Sequence, residues 1–352
     1  MKRFRVGVLG LTHDHIWSNL DRLVQLPNAE LVGAADPHPS LREKFQQRFG
    51  ISDVAEDYYA FLDSHELDAV YAFADNRTSS ELAVEALNRG LHVMLEKPMA
   101  PDLELADRMY AAANLNKKKL MINWPHNWSP RIRKVYNLVK EGAVGEVFKL
   151  RYAGGHAGPR EIGCSPIFCD WLYEADLNGV GALNDQGGYG ATICRWFLGR
   201  PSRVMAMGGR LTKDDISDLD NVVMMLRYEK AIAINEASWS WIGGFPAAGP
   251  LVYGTEGSLA AMSAREPFEV ALIKKGESQL IEIKAEPLPE GEASASEYFV
   301  KCIAEDRPIE GLVSPVICRD AQEILEAAIA SIRTGAEVTV PMDAALPGVA
   351  YY

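Results

Sequence analysis

The sequence has no apolar run approaching the ~20 residues of a membrane-spanning helix, so no membrane partner is expected. It has no surplus of positive charge. The formal net charge is −12, which argues against a nucleic-acid partner, because such binding needs cationic surface to displace counterions. Cysteine is scarce: Cys164, Cys169, Cys194, Cys302 and Cys318 form an odd set with no C-x-x-C pair. Neither a disulfide framework nor a cysteine metal knuckle is indicated, and reduced thiols buried as small hydrophobes fit a cytoplasmic protein. The opening MKRFRVGVLG is basic, but a turn cuts its apolar stretch too early for a signal peptide. No flexible linker or internal repeat stands out. What is present is 48% hydrophobic residues over 352 positions, enough to bury the core of two domains.

The first third alternates short apolar segments with amphipathic ones. FRVGVLG reads as a strand, followed by a helix with Ile16, Leu20, Leu23 and Val24 on one face, ending before Pro27. AELVGAAD, LDAVYAFA and LHVMLEK read as further strands. PSLREKFQQRFG, SSELAVEALNRG and LELADRMYAAANLN read as helices between and after them. Such alternation predicts right-handed crossovers and a doubly wound parallel sheet. Beyond about residue 120 the texture changes. EVFKLRYAGG, RVMAMGG, NVVMMLRY, KAIAINEASWSW, GSLAAMSA, FEVALIKK and QLIEIKA alternate like half-buried strands, close enough for hairpins. Glycine-rich GGHAGP, GVGALNDQGGYG and WIGGFPAAGP separate some of them. The expected architecture is α/β: residues 1–120 as a nucleotide-binding domain, and 121–352 as an α/β domain with a large, mainly antiparallel open sheet.

The stretch VLGLTHDHIW, residues 8–17, sits where a dinucleotide fold carries G-x-G-x-x-G. The register gives Gly10, Thr12 and His15, so only the first glycine is kept. The context still fits: strand, turn, helix, with Asp36 ending the second strand where a ribose-binding carboxylate belongs. The Thr12 hydroxyl could cap the helix or meet a phosphate. Asp14 would compete for the same helix N–H groups. Two other readings stay open. His13 and His15 can simply line a turn. They can also begin a metal site, to which His126 and His156 might be recruited. The later chain lacks the β/α repeat that a barrel hydrolase needs, and no metal is expected.

ADNRTSSELAVEALNRGLHVMLEKPMA and GVGALNDQGGYGATICRWFLG carry the decisive pattern: E-K-P at a strand end, and D-x-G-x-Y in the second half. Together with NWPHNWSPRIRKVYNLVKEGAVGEVFKLR, YGTEGSL and AAIASIRTGAEVTVP, they resemble the Gfo/Idh/MocA oxidoreductases over nearly the full length. Several positions depart from that pattern: Thr12 and His15 in the turn, Asp75 before Asn76, Ser79, Tyr189 where a histidine is usual, and Thr192.

The resemblance implies NAD, with NADP possible, held by Gly10, Thr12, His13, Asp36, Ala74, Asn76, Glu96 and Lys97. It implies Lys97, Asp185 and Tyr189 as catalytic groups, and a substrate site of Lys97, His126, Asp185 and Tyr189. Hydride would move between the nicotinamide and a secondary alcohol of a sugar, polyol or related cyclic compound. A redox-assisted hydrolase or lyase, or a non-catalytic binding relative, would use the same scaffold. A homodimer or homotetramer through the second sheet, and a cis Lys97–Pro98 bond, are also implied. The lysine cation is expected to lower the Tyr189 phenol pKa. His126 reads equally as a pocket or a structural residue. The acidic run from Lys213 reads as a solvated loop.

Overall fold

The computed structural model describes residues 3–243, 249–262 and 269–342. The middle of WIGGFPAAGP and the start of FEVALIKK lie outside the described residues.

The first sheet is built from β1 (Phe4–Leu9), β2 (Ala29–Ala35), β3 (Val54–Ala55), β4 (Ala69–Ala72), β5 (His92–Glu96) and β6 (Leu120–Asn123). All its neighbours pair in parallel, in the order β3-β2-β1-β4-β5-β6. The connecting helices are α1 (Ile16–Leu23), α2 (Pro39–Phe49), α3 (Tyr58–Ser64), α4 (Asn76–Asn88) and α5 (Leu103–Asn116). The strands are almost wholly buried, as a sheet covered on both faces requires. On α1, Ile16, Leu20 and Leu23 are buried as expected, but Val24 is 48% exposed at the helix end. Trp17 takes its place on the inward face.

The rest of the chain supplies α6 (Pro130–Lys140), β7 (Val147–Gly155), α7 (Pro166–Leu172), α8 (Ala175–Asn178), α9 (Gly188–Leu198), β8 (Arg203–Gly209), β9 (Asn221–Arg227) and β10 (Ile232–Ser238). It continues with β11 (Leu251–Gly254), β12 (Gly257–Ala261), β13 (Val270–Lys274), β14 (Ile281–Ile283), α10 (Ala295–Ala304), α11 (Pro315–Thr334) and β15 (Val338–Thr339). The nine strands run β14-β13-β12-β11-β7-β10-β9-β8-β15. Only β7–β10 is parallel; the other pairs are antiparallel. The fold is thus α/β, a parallel Rossmann-like sheet with a larger, mostly antiparallel one.

Two contacts explain the second layer. At Gly190 on α9 a Cβ would fall 1.9 Å from Asn235 Oδ1 on β10, so the helix lies directly on the strand. Asn235 Nδ2 then donates to the Gly187 carbonyl at 2.7 Å. Helix α11 ties the two sheets together: Arg319 is buried and donates to Asp107 of α5 at 2.6 Å and to Glu323 at 2.6 Å. The run from Lys213 is less solvated than its composition suggests. Asp220 is fully buried and accepts the N–H groups of Leu211, Thr212 and Lys213, while Lys213 pairs with Glu161. Satisfied backbone donors, not solvent, hold that carboxylate.

Candidate active site

The β1–α1 turn is tight because Gly10 has φ +94° and lies against Ala74, just beyond β4. A Cβ there would meet the Ala74 nitrogen at 2.2 Å. Thr12 is buried, and its Oγ1 has no partner; it does not cap α1, whose first turn follows His15. His13 is buried as well. Its N–H donates to Phe73 at 3.0 Å, and its ring packs on Phe168 (4.6 Å) and Trp171 (5.7 Å) of α7. Asp14 does not compete for the helix donors, since it turns away to accept the Ser165 N–H at 2.7 Å.

Asp36 stands at the end of β2, fully buried. It accepts from Leu11 N–H (2.6 Å) and His38 N–H (2.8 Å), and its Oδ1 lies 2.8 Å from the His38 ring. Arg42 donates to the Asp36 carbonyl at 2.6 Å. Asn76, the first residue of α4, donates to Asn178 Oδ1 at 2.8 Å. Ser79 Oγ and Asn178 Nδ2 are buried polar atoms without partners. Leaving such atoms unsatisfied costs free energy, so the unpartnered Thr12 Oγ1 in the turn suits a polar ligand there. The α1 N-terminus behind the turn suits an anionic one.

Glu96 ends β5. Its Oε1 lies 2.9 Å from His15 Nδ1, and its Oε2 accepts from Asn123 Nδ2 at 2.8 Å. His13, His15 and Glu96 thereby bring potential metal-ligating atoms within 4.8 Å of one another. Each imidazole already has one partner: His13 Nδ1 accepts the His15 N–H at 3.2 Å, and His15 Nδ1 lies 2.9 Å from Glu96 Oε1. A hollow of about 320 Å³ opens beside His15, Asn123 and Trp128.

Lys97 follows on a cis Lys97–Pro98 bond, as the resemblance implies. Its buried ammonium forms an ion pair with Asp185. Asp185 lies in a π-helical turn, Leu183–Gly187, just before α9. Its other oxygen accepts from Trp239 Nε1 and Gln186 Nε2, both at 2.8 Å, and lies 3.8 Å from His156 Nε2. Burial pushes the Asp185 pKa up, but the Lys97 charge, with help from His156 and hydrogen bonds, holds it well below the usual carboxylate range.

Tyr189 lies one helical turn on from Asp185. Its ring centre is 5.4 Å from Lys97 Nζ and packs between Trp124 (4.9 Å) and His126 (4.5 Å). The expected pKa lowering is reversed: burial first, then the Asp185 and Glu96 charges, push the phenol well above its ordinary value. Lysine cannot depress it because Asp185 neutralises that cation at close range. His126 makes a structural contact and also faces a cavity. Its Nε2 lies 2.8 Å from the Tyr152 hydroxyl, and the residue lines a cavity of about 420 Å³. Burial, then Arg131 and Lys97, lower its pKa to about 4, so the ring is neutral at neutral pH.

The site residues read from the sequence thus fall into two groups. Gly10, Thr12, His13, Asp36, Ala74 and Asn76 gather round the first turn. Lys97, Asp185, Tyr189 and His126 gather beyond Glu96. Gln186 also joins the site, as does Trp239, which reads from the sequence alone as a core or interface aromatic. Trp239 lies 54 positions from Asp185, and no local pattern links the two.

Comparison with known proteins identifies the family. Residues 4–124 match the model of an oxidoreductase family with an NAD-binding Rossmann fold, and residues 132–260 match the GFO/IDH/MocA C-terminal domain. The chain belongs to the Gfo/Idh/MocA family. It is 31% identical over 227 residues to dTDP-3,4-didehydro-2,6-dideoxy-alpha-D-glucose 3-reductase of Actinomadura kijaniata, covering 64% of this chain and 60% of that one. It is 24% identical to levoglucosan dehydrogenase of Pseudarthrobacter phenanthrenivorans, over 67% and 66% of the two chains. The chain therefore spans 60% and 66% of the lengths of these two relatives. In fold it is similar to an oxidoreductase from Agrobacterium radiobacter solved with NAD+, L-tartaric acid and magnesium: TM-score 0.80, 19% identity, covering 96% of this chain and 98% of that one. The first domain carries the family's NAD-binding Rossmann fold. Among the described residues, no helix is long and apolar enough to cross a membrane.

Proposed function

We propose that the protein is an NAD(P)-dependent oxidoreductase that transfers hydride between the nicotinamide and a secondary alcohol of a sugar, polyol or related cyclic compound. The observation that carries this reading is the buried Lys97–Asp185 pair beside Tyr189 at the carboxyl end of β5, where doubly wound sheets bind ligands. The sugar-directed names of both curated relatives support the substrate class.

The bound cofactor would supply the hydride chemistry. Gly10, Thr12, Ala74 and the start of α1 would hold its pyrophosphate, and Asn76 and Glu96 would flank its nicotinamide half. Phe168 and Trp171 pack on His13 beside the turn. Asp36 would face the adenosine ribose and favour NAD, because a 2′-phosphate there would meet its charge. Lys97, oriented by Asp185, donates to the carbinol oxygen and stabilises the developing alkoxide. The Tyr189 phenol keeps its proton at neutral pH. It donates that proton to the substrate oxygen during ketone reduction; in oxidation only its phenolate form, populated at higher pH, takes up the alcohol proton.

A panel of sugars, polyols and the corresponding ketones, followed at the nicotinamide absorbance band with both cofactors, tests the reading. Turnover with a sugar or polyol supports it. A cofactor that stays bound and is never consumed would favour the hydrolase or lyase alternative, and ligand binding without turnover a binding protein.

The outer face of the second sheet supports a homo-oligomer. Met207, Val223, Met225 and Ile232 are each more than 40% exposed, and Met207 and Val223 are cross-strand partners. Light scattering should give a dimer or tetramer, and Met225→Glu should shift it towards monomer.

A further inference from the structure

The 420 Å³ cavity has a chemistry of its own. It lies at the start of α6, between that helix and the end of β7, and is large enough for a monosaccharide. Its polar wall is Arg131, Ser129, His126, Tyr152 and Gln186. Among the described residues that line it there is no carboxylate, although the chain as a whole carries a net charge of −12.

Several features give the cavity one sign. Arg131 is anchored by donation from Nη1 to the Met262 carbonyl at 2.8 Å, which fixes the guanidinium on the wall without neutralising it. The first turn of α6 contains no acidic residue, and its N-cap, Ser129, makes no side-chain capping bond. The helix end therefore adds positive potential at the same wall. The Arg131 charge also contributes to the lowered His126 pKa, so its field reaches the inner end of the cavity. His126 is neutral there and does not need an anion of its own. The cavity adjoins the catalytic pair: Gln186 is part of its wall and donates to Asp185 Oδ2, while His126 packs on Tyr189.

We propose that this cavity binds an anionic end of the substrate, a carboxylate or phosphate ester carried on a sugar or polyol, with Arg131 as its counter-charge. The inference rests on the oxidoreductase reading for its sugar moiety, and on the cavity alone for its charge. A guanidinium fork suits either anion, because both offer paired oxygens.

The test compares matched ligands by calorimetry on the whole protein with NAD present. Hexuronates and aldonates form one arm, hexose phosphates the second, and their neutral parent sugars and polyols the third. The expected result is that one anionic arm binds roughly ten- to a hundredfold tighter than its neutral partners, the effect of a charge-assisted pair. Arg131→Gln should bring that ratio close to one, and Arg131→Lys should keep part of it. The favoured arm identifies carboxylate or phosphate. Thermal unfolding of both variants checks that they are folded, and Arg131→Lys carries the test if Arg131→Gln is not. The proposal is overturned if no anionic member outbinds its neutral partner, or if the preference survives Arg131→Gln. Turnover is scored separately. Anion preference without turnover of any ligand would sink the oxidoreductase reading and leave this one standing, whereas turnover confined to neutral sugars would do the reverse.

Discussion

Replacing Lys97 with methionine should damage stability as well as catalysis, and the stability effect should depend on pH in a defined direction. Lys97 and Asp185 are both about 95% buried, and Asp185 keeps only Trp239, Gln186 and His156 around it once the ammonium is gone. Breaking a buried pair by removing one partner typically costs about 3–5 kcal/mol, because an uncompensated charge is left inside. In the native protein the Asp185 pKa is depressed despite burial. The pair's contribution is therefore present above the unfolded carboxylate value of about 4, and is lost only as pH falls through the depressed folded value. In Lys97→Met the main opposing charge is gone, and burial pushes the carboxyl above its unfolded value. The variant then gains relative stability as pH falls and Asp185 takes up a proton.

The deficit of Lys97→Met should thus be largest near pH 8 and shrink towards pH 5, read from urea unfolding without cofactor and followed by tryptophan fluorescence. The double variant Lys97→Met/Asp185→Leu removes both charges and should recover most of the lost stability, as apolar replacements of buried pairs often do. It should recover no activity, which separates the fold's need for the pair from the chemistry's. A Lys97→Met protein within about 0.5 kcal/mol of the native one at pH 8, or a deficit that grows towards acid, would refute the argument.

Tyr189→Phe should lose roughly 10²–10⁴-fold in kcat/KM while keeping NAD affinity. Because the native phenol is held protonated, alcohol oxidation should climb with pH without a plateau below about pH 10, and a plateau near neutrality would assign the proton to another group. Calorimetry should show NAD bound more tightly than NADP, and Asp36→Ser should narrow the gap; tighter NADP binding by the native protein would remove Asp36 from that role. The purified protein should carry no stoichiometric metal and keep its activity in chelator. About one ion per chain, lost on replacing His13 or His15, would establish the His13–His15–Glu96 cluster as a metal centre instead.

The fold was legible where periodicity ran long. Strands β1, β2, β4 and β5 and most of the second sheet's strands announce themselves by apolar runs or alternation, whereas β6, as short as β4, is not among the expected strands. Two-residue strands such as β3 and β15, and the short helices α7 and α8, are too brief to show a period. The site was legible mainly through resemblance, because its physics is non-local. Lys97 and Asp185 are 88 positions apart, and nothing in either neighbourhood states that they pair. The sign of the Tyr189 shift depends on burial and on the cancellation of a cation by Asp185, both properties of the folded state.

The missing glycines of the first turn have a backbone explanation. In the G-x-G-x-x-G pattern the first glycine makes the turn, while the other two serve close approach by pyrophosphate and by helix. Of the three positions only Gly10 has a positive φ, and there Ala74, just beyond β4, leaves no room for a side chain. His15 adopts φ −66° and ψ −17°, which any residue accepts, and its side chain reaches across to Glu96. The third position thus exchanges close packing of helix on strand for a bond between the cofactor turn and the residue preceding Lys97. If that bond positions Glu96 and Lys97, His15→Gly should restore the motif yet lower kcat more than it alters NAD affinity. His15→Asn, which retains a polar side chain at the position, should lose less. Unchanged kcat in His15→Gly would show that the histidine merely fills the turn.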